Sequence, residues 1–154
     1  LFGVVGQDCA QPDTAILDEL RRIARPLDPS DLFKVFEVSK DQIVIEQGSE
    51  ADDLLVLMSG SLRVEYVRPD GSKIPVARIL PGAVVGEIAF YAGEKRTAQV
   101  IAEQDCRLIE INRRTLAELE KSQPALVSNI HRIAATNLAT RLSRTMALLR
   151  DADI

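Results

Sequence analysis

The chain predicts a mainly β fold with flanking helices: a jelly-roll barrel (a double-stranded β-helix) with a helix before it, a short helix within it and a long helix after it. Three observations lead there. Short Val-, Ile- and Leu-rich segments recur through the central third, separated by turn signals at about the 8 to 12 residue spacing of all-β sandwiches and barrels. Helical periodicity brackets them on both sides. Of the 154 residues, 46% are hydrophobic, enough for one globular domain with its own core.

Residues 1–12, LFGVVGQDCAQP, form a loosely constrained lead-in. Ile16, Leu17, Leu20 and Ile23 then fall at helical spacing, with Asp13 or Thr14 as N-cap and Pro26 as the stop. The run PLDPSD is a turn, after which LFKVFEV alternates as a strand does. Further strands are expected at 42–46, 54–59, 61–68, 72–79, 97–102 and 107–111, separated by QGSEADD, PDG, a glycine-bearing segment and EQD. Asp52 and Asp53 read as turn chemistry rather than as metal ligands. Asn112 caps RRTLAELEKS, and Gln123-Pro124 breaks that helix before a long one at 125–150. Along the long helix, Leu126, Ile130, Ile133, Leu138, Leu142, Met146 and Leu149 make a stripe that covers the barrel and then projects past it. A stripe of that length suits a partner helix, so a homodimer through it is expected, against the alternative of one helix folded wholly onto its own barrel. The division is therefore 1–30, lead-in and helix; 31–112, barrel; 113–154, C-terminal helices.

The segment at 80–100, LPGAVVGEIAFYAGEKRTAQV, carries the chemistry. Gly82 and Gly86 permit tight turns and close backbone approach, Glu87-Ile88-Ala89-Phe90 suits one short helical turn, and Arg96 returns nine residues after Glu87. A short helix after glycine presents unpaired N–H groups to an anion, and Arg96 adds a planar fork of donors matched to phosphate oxygens. Glu87 is explained if it turns away from the phosphate and accepts hydrogen bonds from a sugar hydroxyl. Ala89 is small enough for a ligand to lie against, and Thr97 and Ala98 offer a hydroxyl and two N–H groups. On these residues alone, an ordinary loop with a surface Glu–Arg ion pair is an equally good account.

The string G-E-I-A, six residues, then R-T-A-x-V resembles the phosphate-binding cassette of the cyclic nucleotide-binding domains, with the Gly-to-Arg spacing of the kinase-type cassettes. The resemblance runs from about Leu32 to Leu149, through IVIEQGSEADDLLVLMSGSLRV with Gly48 and Gly60, then PDG, LPG and the cassette. It implies that cAMP or cGMP is the ligand, that Arg96 binds the exocyclic phosphate oxygens and Glu87 the ribose 2′-hydroxyl, and that Gly86, Ile88, Ala89, Thr97 and Ala98 complete the site. It places Val64, Val76, Ile79 and Val85 against the purine, although each is equally well explained as barrel core. The long helix becomes a lid, with Asn137, Leu138, Arg141 and Thr145 over the base. Two departures stand out: the turn Ser39-Lys40-Asp41 lacks the usual glycine, and Leu55 stands where an aromatic is common. The wording GAVVGEIAFYAGEKRTA with NIHRIAATNLATRLSRTMALLR is also similar to the domain after the STAS domain of some bacterial SulP-type anion transporters.

Other classes are excluded by composition. The formal charge of 19 − 23 = −4 offers no basic field for nucleic acid, and only Asp151 to Ile154 follow the long helix where the family's transcription factors carry a helix-turn-helix. One histidine, His131, rules out a cupin-like metal centre, and two cysteines, Cys9 and Cys106, fit a reducing compartment rather than a disulfide framework. No apolar run approaches the ~20 residues of a membrane span. Neither an initiator Met nor a signal-peptide pattern opens the chain, which reads as a piece of a longer, cytoplasmic or membrane-anchored protein. With no catalytic constellation, the expectation is a non-enzymatic sensor: it needs no cofactor, and ligand binding moves the C-terminal helix and regulates an attached effector, a SulP/STAS transporter or, second, a channel. The alternative is a non-binding jelly-roll scaffold that works through the long helix.

Overall fold

A computed structural model of the chain describes Asp18 and residues 34–151. Asp18 is helical; the rest of the expected N-terminal helix, and Cys9, lie outside the described residues. The elements are β1 (Lys34–Val38), β2 (Ile43–Ile45), β3 (Asp53–Ser59), β4 (Leu62–Val67), β5 (Lys73–Ile79), β6 (Val84–Val85), α1 (Glu87–Ala92), β7 (Gln99–Ala102), β8 (Cys106–Asn112), α2 (Arg113–Ser122) and α3 (Pro124–Asp151). They form two antiparallel four-stranded sheets, ordered β1-β8-β3-β6 and β2-β7-β4-β5, which is the expected jelly-roll arrangement.

The two sheets are buried differently, and the sequence of β3 shows why. Its run DLLVLMS is apolar at nearly every position rather than alternating, as in a strand covered on both faces. Leu55 and Leu57 point into the barrel with Leu62, Val64, Val100 and Leu108, while Leu54, Val56 and Met58 point outward against Leu116 and Leu119 of α2 and Leu126, Ile130 and Ile133 of α3. Leu55 is thus a fully packed core residue where a larger aromatic was expected from the resemblance. β6 was not foreseen, because two valines carry no period; pairing with β3, Leu55 opposite Val85 and Val56 opposite Val84, makes it a strand.

Capping sets the helix boundaries. The Asn112 side chain accepts a hydrogen bond from Thr115 N at 2.8 Å and starts α2, and Pro124 opens α3, where its missing N–H costs nothing. The turn that lacks a glycine is solved by Asp41, which takes φ 71° and donates its N–H to Ala102 O at 2.8 Å. Aspartate is among the few residues that tolerate this left-handed conformation. On α3 the apolar stripe divides: Leu126, Ile130 and Ile133 are buried on the barrel, whereas Leu142, Met146 and Leu149 are 53 to 64% exposed.

Candidate functional site

Gly86 is the pivot of the site. It adopts φ 82° between β6 and α1, and a β-carbon there would run into Arg96 Nη1, so glycine is required both by the backbone and by the guanidinium lying against it. Arg96 lies in the segment between α1 and β7. The turn before β3 holds its backbone: Arg96 N donates to Ser49 O at 2.9 Å, and Gly48 N donates to Arg96 O at 2.8 Å.

The Arg96 side chain is buried and anchored from two sides. Nη1 donates to Gly86 O at 2.8 Å; Nη2 donates to Asp53 O at 2.9 Å and to Asp53 Oδ1 at 2.5 Å. A guanidinium has five N–H groups, and among the described residues three are committed, leaving Nε–H and one on Nη1 for an oxyanion. Asp53 is therefore more than the turn residue expected from its position. Its carboxylate compensates the buried cation and fixes it in the wall of the pocket.

Glu87, at the start of α1, is 2% exposed, and its Oε1 forms an ion pair with Arg141 Nη2 of α3. No hydrogen bond from any other described group reaches that oxygen. A carboxylate withdrawn this far from water needs a partner, and the long helix supplies it. Around the two pairs runs a cavity lined by the cassette residues Gly86, Glu87, Ile88, Ala89, Arg96, Thr97 and Ala98, with Arg141 as its roof. The free space is about 40 Å³, room for a few water molecules.

Of the four apolar residues that the resemblance sets against a base, three line the cavity. Val64, Ile79 and Val85 line the cavity, and Val76 does not. The register runs Val64 opposite Ala77 and Glu65 opposite Pro75, so Val76 is the extra residue of a β-bulge; half-buried, it packs against the barrel core without lining the cavity. Ile45 and Val100 line the cavity instead, contributed by the neighbouring strands β2 and β7. Strand alternation could have suggested them, but only with the pairing known. Of the four expected lid residues, only Arg141 reaches the pocket. Asn137, one turn earlier, is buried, and its Nδ2 lacks a hydrogen-bond partner among the described residues. Leu138 is half-buried, and Thr145 is exposed with its hydroxyl donating to Arg141 O at 3.0 Å.

A second set of contacts ties the cassette to the helices. Tyr91 of α1 meets His131 of α3 at 2.6 Å between Oη and Nδ1. Arg113 stacks 4.1 Å from the centroid of the Phe90 ring and donates to Phe90 O at 2.6 Å. The single histidine is thus a link between the cassette and α3. Cys106, its thiol pKa pushed up chiefly by burial, is packed within the barrel. Among the described residues no cluster of three or more His, Cys, Asp or Glu suits a metal ion, and no helix is long and apolar enough to cross a membrane.

The jelly roll's cassette thus brings a buried arginine and a buried carboxylate to one small cavity, under a long helix. The sequence profile of the cyclic nucleotide-binding domain matches residues 35–123, more than half of the chain, and the chain belongs to that family. It is 35% identical over 81 residues to the cAMP-dependent protein kinase regulatory subunit of Dictyostelium discoideum, covering 53% of this chain and 25% of that one. Among solved structures it resembles the c-di-GMP responsive global regulator CLP of Xanthomonas campestris, with a TM-score of 0.72, 20% identity, and 88% of this chain and 62% of that one covered. It also resembles the regulatory domain of Toxoplasma gondii PKA with cAMP, with a TM-score of 0.55, 25% identity, and 70% and 46% covered. The chain spans between 7% and 25% of the length of the first curated relatives it matches.

Proposed function

We propose that this domain is a sensor in which Arg96 takes the cyclic phosphate and Glu87 the ribose hydroxyl of a cyclic nucleotide, and in which Arg141 reports occupancy to α3. The observation that carries this reading is the Glu87–Arg141 ion pair inside the pocket. Ribose and helix compete for the same carboxylate. Ligand binding therefore favours states with Arg141 displaced from Glu87, and shifts the helix population by the ligand's differential affinity. A coupling of about 1 to 3 kcal/mol between ligand and helix is ordinary for such a switch. Similarity to a kinase regulatory subunit and to a regulatory domain supports a non-enzymatic module that acts on an attached effector.

Several finer features belong to the same proposal. cAMP is favoured over cGMP because the kinase regulatory subunit and the Toxoplasma regulatory domain to which the chain is similar are named for cAMP. Thr97, at the pocket edge, is the candidate reader if the order is reversed. The small share of each relative that the chain spans supports a module within a longer cytosolic or membrane-anchored protein. A SulP/STAS transporter as that effector rests on the sequence resemblance alone. The exposed face of Leu142, Met146 and Leu149 supports a homodimer through α3.

A scaffold that binds nothing is the second reading, favoured by the small free volume of the pocket. Calorimetric titration with cAMP, cGMP and 5′-AMP separates the two. Saturable heat with a cyclic nucleotide but not with 5′-AMP is the expected result; silence from all three, with the chain folded, leaves the scaffold.

A further inference from the structure

A second cavity, of about 320 Å³, shares Arg96 with the first and is lined also by Glu46, Glu50, Asp53 and Glu110, but not by Glu87. Asp53 on β3 and Glu110 on β8 are diagonal neighbours across the ladder: Asp53 stands opposite Asn112, and Leu55 opposite Glu110. Both side chains project from the barrel-facing row of their strands, where diagonal side chains come within reach of one another. Asp53 is already the anion of Arg96 at 2.5 Å. Facing Glu110 from β1 is Lys34, directly opposite in register, with Nζ 3.8 Å from Oε2 and its side chain 75% exposed. Asp53 and Glu110 thus stand between one buried guanidinium and one well-solvated ammonium, with the exposed Glu46 and Glu50 lining the same cavity.

We propose that Glu110 is a proton switch set behind the phosphate-binding arginine, so that nucleotide binding is accompanied by uptake of a proton at Glu110. This rests on the nucleotide-binding reading of Arg96. With Glu110 neutral, its O–H donates to the Asp53 carboxylate, which keeps one negative charge for Arg96 and holds the guanidinium in place. With Glu110 ionised, two carboxylates face each other behind the cation and weaken the positive field that Arg96 offers to phosphate. A phosphate arriving at Arg96 brings a further negative charge to the cluster, and like charge favours the neutral form of Glu110.

The titration of Glu110 already leans this way. Its pKa is raised from the ordinary 4.5, first by the side-chain hydrogen bond with Asp53 and then by burial and the Asp53 charge, with Lys34 opposing. By linkage, a group that binds its proton more tightly in the complex makes affinity fall as pH rises through its titration. Protons and nucleotide then reinforce each other reciprocally.

The test is calorimetric titration of the full chain with cAMP and cGMP, at about pH 5.5 and about pH 7.5, each in two buffers of different ionisation enthalpy. Expected are uptake of a fraction of a proton per nucleotide and an affinity loss of about three- to tenfold between the two pH values. Glu110→Gln, which keeps the shape and the hydrogen bond, is expected to bind with no proton uptake and with pH-independent affinity. The carboxyl carbon resonance of Glu110 in the unsubstituted chain gives a readout independent of that variant, and is expected to titrate higher with nucleotide than without. Nucleotide binding with no uptake and an unmoved Glu110 titration would overturn the switch while leaving the sensor intact, as would uptake that persists in E110Q. Absence of binding at either pH would overturn both.

Discussion

Arg96 is a buried cation whose anchors are all protein oxygens, so its removal disturbs the pocket in two ways: the phosphate loses its donors and Asp53 loses its partner. Arg96→Ala is expected to lower cyclic nucleotide affinity by about 1.5 to 3 kcal/mol, roughly 10- to 150-fold, in a calorimetric titration. Affinity equal to that of the parent chain would mean that the phosphate binds elsewhere. Asp41 makes a separate prediction about stability. It sits at φ 71° in a turn where glycine carries no steric penalty. Asp41→Gly is expected to raise the unfolding free energy by about 0.5 to 1 kcal/mol in a urea melt, without changing ligand affinity. An unchanged or lower midpoint would show that contacts of the aspartate side chain outweigh the backbone strain.

At the scale of elements, α3 does two jobs with its two halves. The N-terminal half is core: Ile130 is fully buried between α3 and the outer face of β3 and β8, and Ile130→Ala is expected to cost about 2 to 5 kcal/mol. In the C-terminal half Leu142 and Met146 face solvent, and their replacement by Lys is expected to change the stability of the folded chain by no more than about 0.5 kcal/mol. If α3 joins two copies, Leu142→Lys with Met146→Lys shifts sedimentation from dimer to monomer. A parent chain that sediments as a monomer at all concentrations removes that part of the proposal. Between the halves stands Arg141, whose grip on Glu87 joins the packed half of the helix to the pocket.

On the proposed reading, the whole molecule responds to ligand and to protons through the same cluster. A ligand that binds only the folded state at about 100 times its Kd adds about 2.7 kcal/mol, which for a domain of this size raises Tm by about 5 to 10 °C. A cyclic nucleotide is expected to give that shift, and 5′-AMP none. Glu110 sets the sign of the pH dependence. Its folded pKa is raised, so the stability it contributes is complete below its ordinary value of 4.5 and is lost as pH rises through the folded value. Glu110→Gln is expected to flatten the stability profile over that window, as followed by thermal melts. A profile as steep as that of the parent would place the titration on another group.

Much of this architecture is legible along the chain, because strands, caps and turns are local. Val-, Ile- and Leu-rich runs and turn residues mark β1 to β5, Asn112 announces α2, and the resemblance of the run from Gly86 and Glu87 to Arg96 marks the cassette before any contact is known. The pocket's other members come from distant positions whose meaning depends on register. Val76, at a bulge, packs on the barrel core outside the cavity lining, and pairing brings in Ile45 and Val100. Asp53 reads as a turn residue until folding sets it against a guanidinium 43 positions away. Arg141 is one of four lid positions that the resemblance offers, and becomes the counter-ion of Glu87 only when α3 lies across the barrel. Sequence by itself determined which local shapes were available, since backbone and periodicity depend on near neighbours. Tertiary structure alone decided which charges share a low-dielectric pocket, since their energies depend on separations in space that the order of residues does not contain.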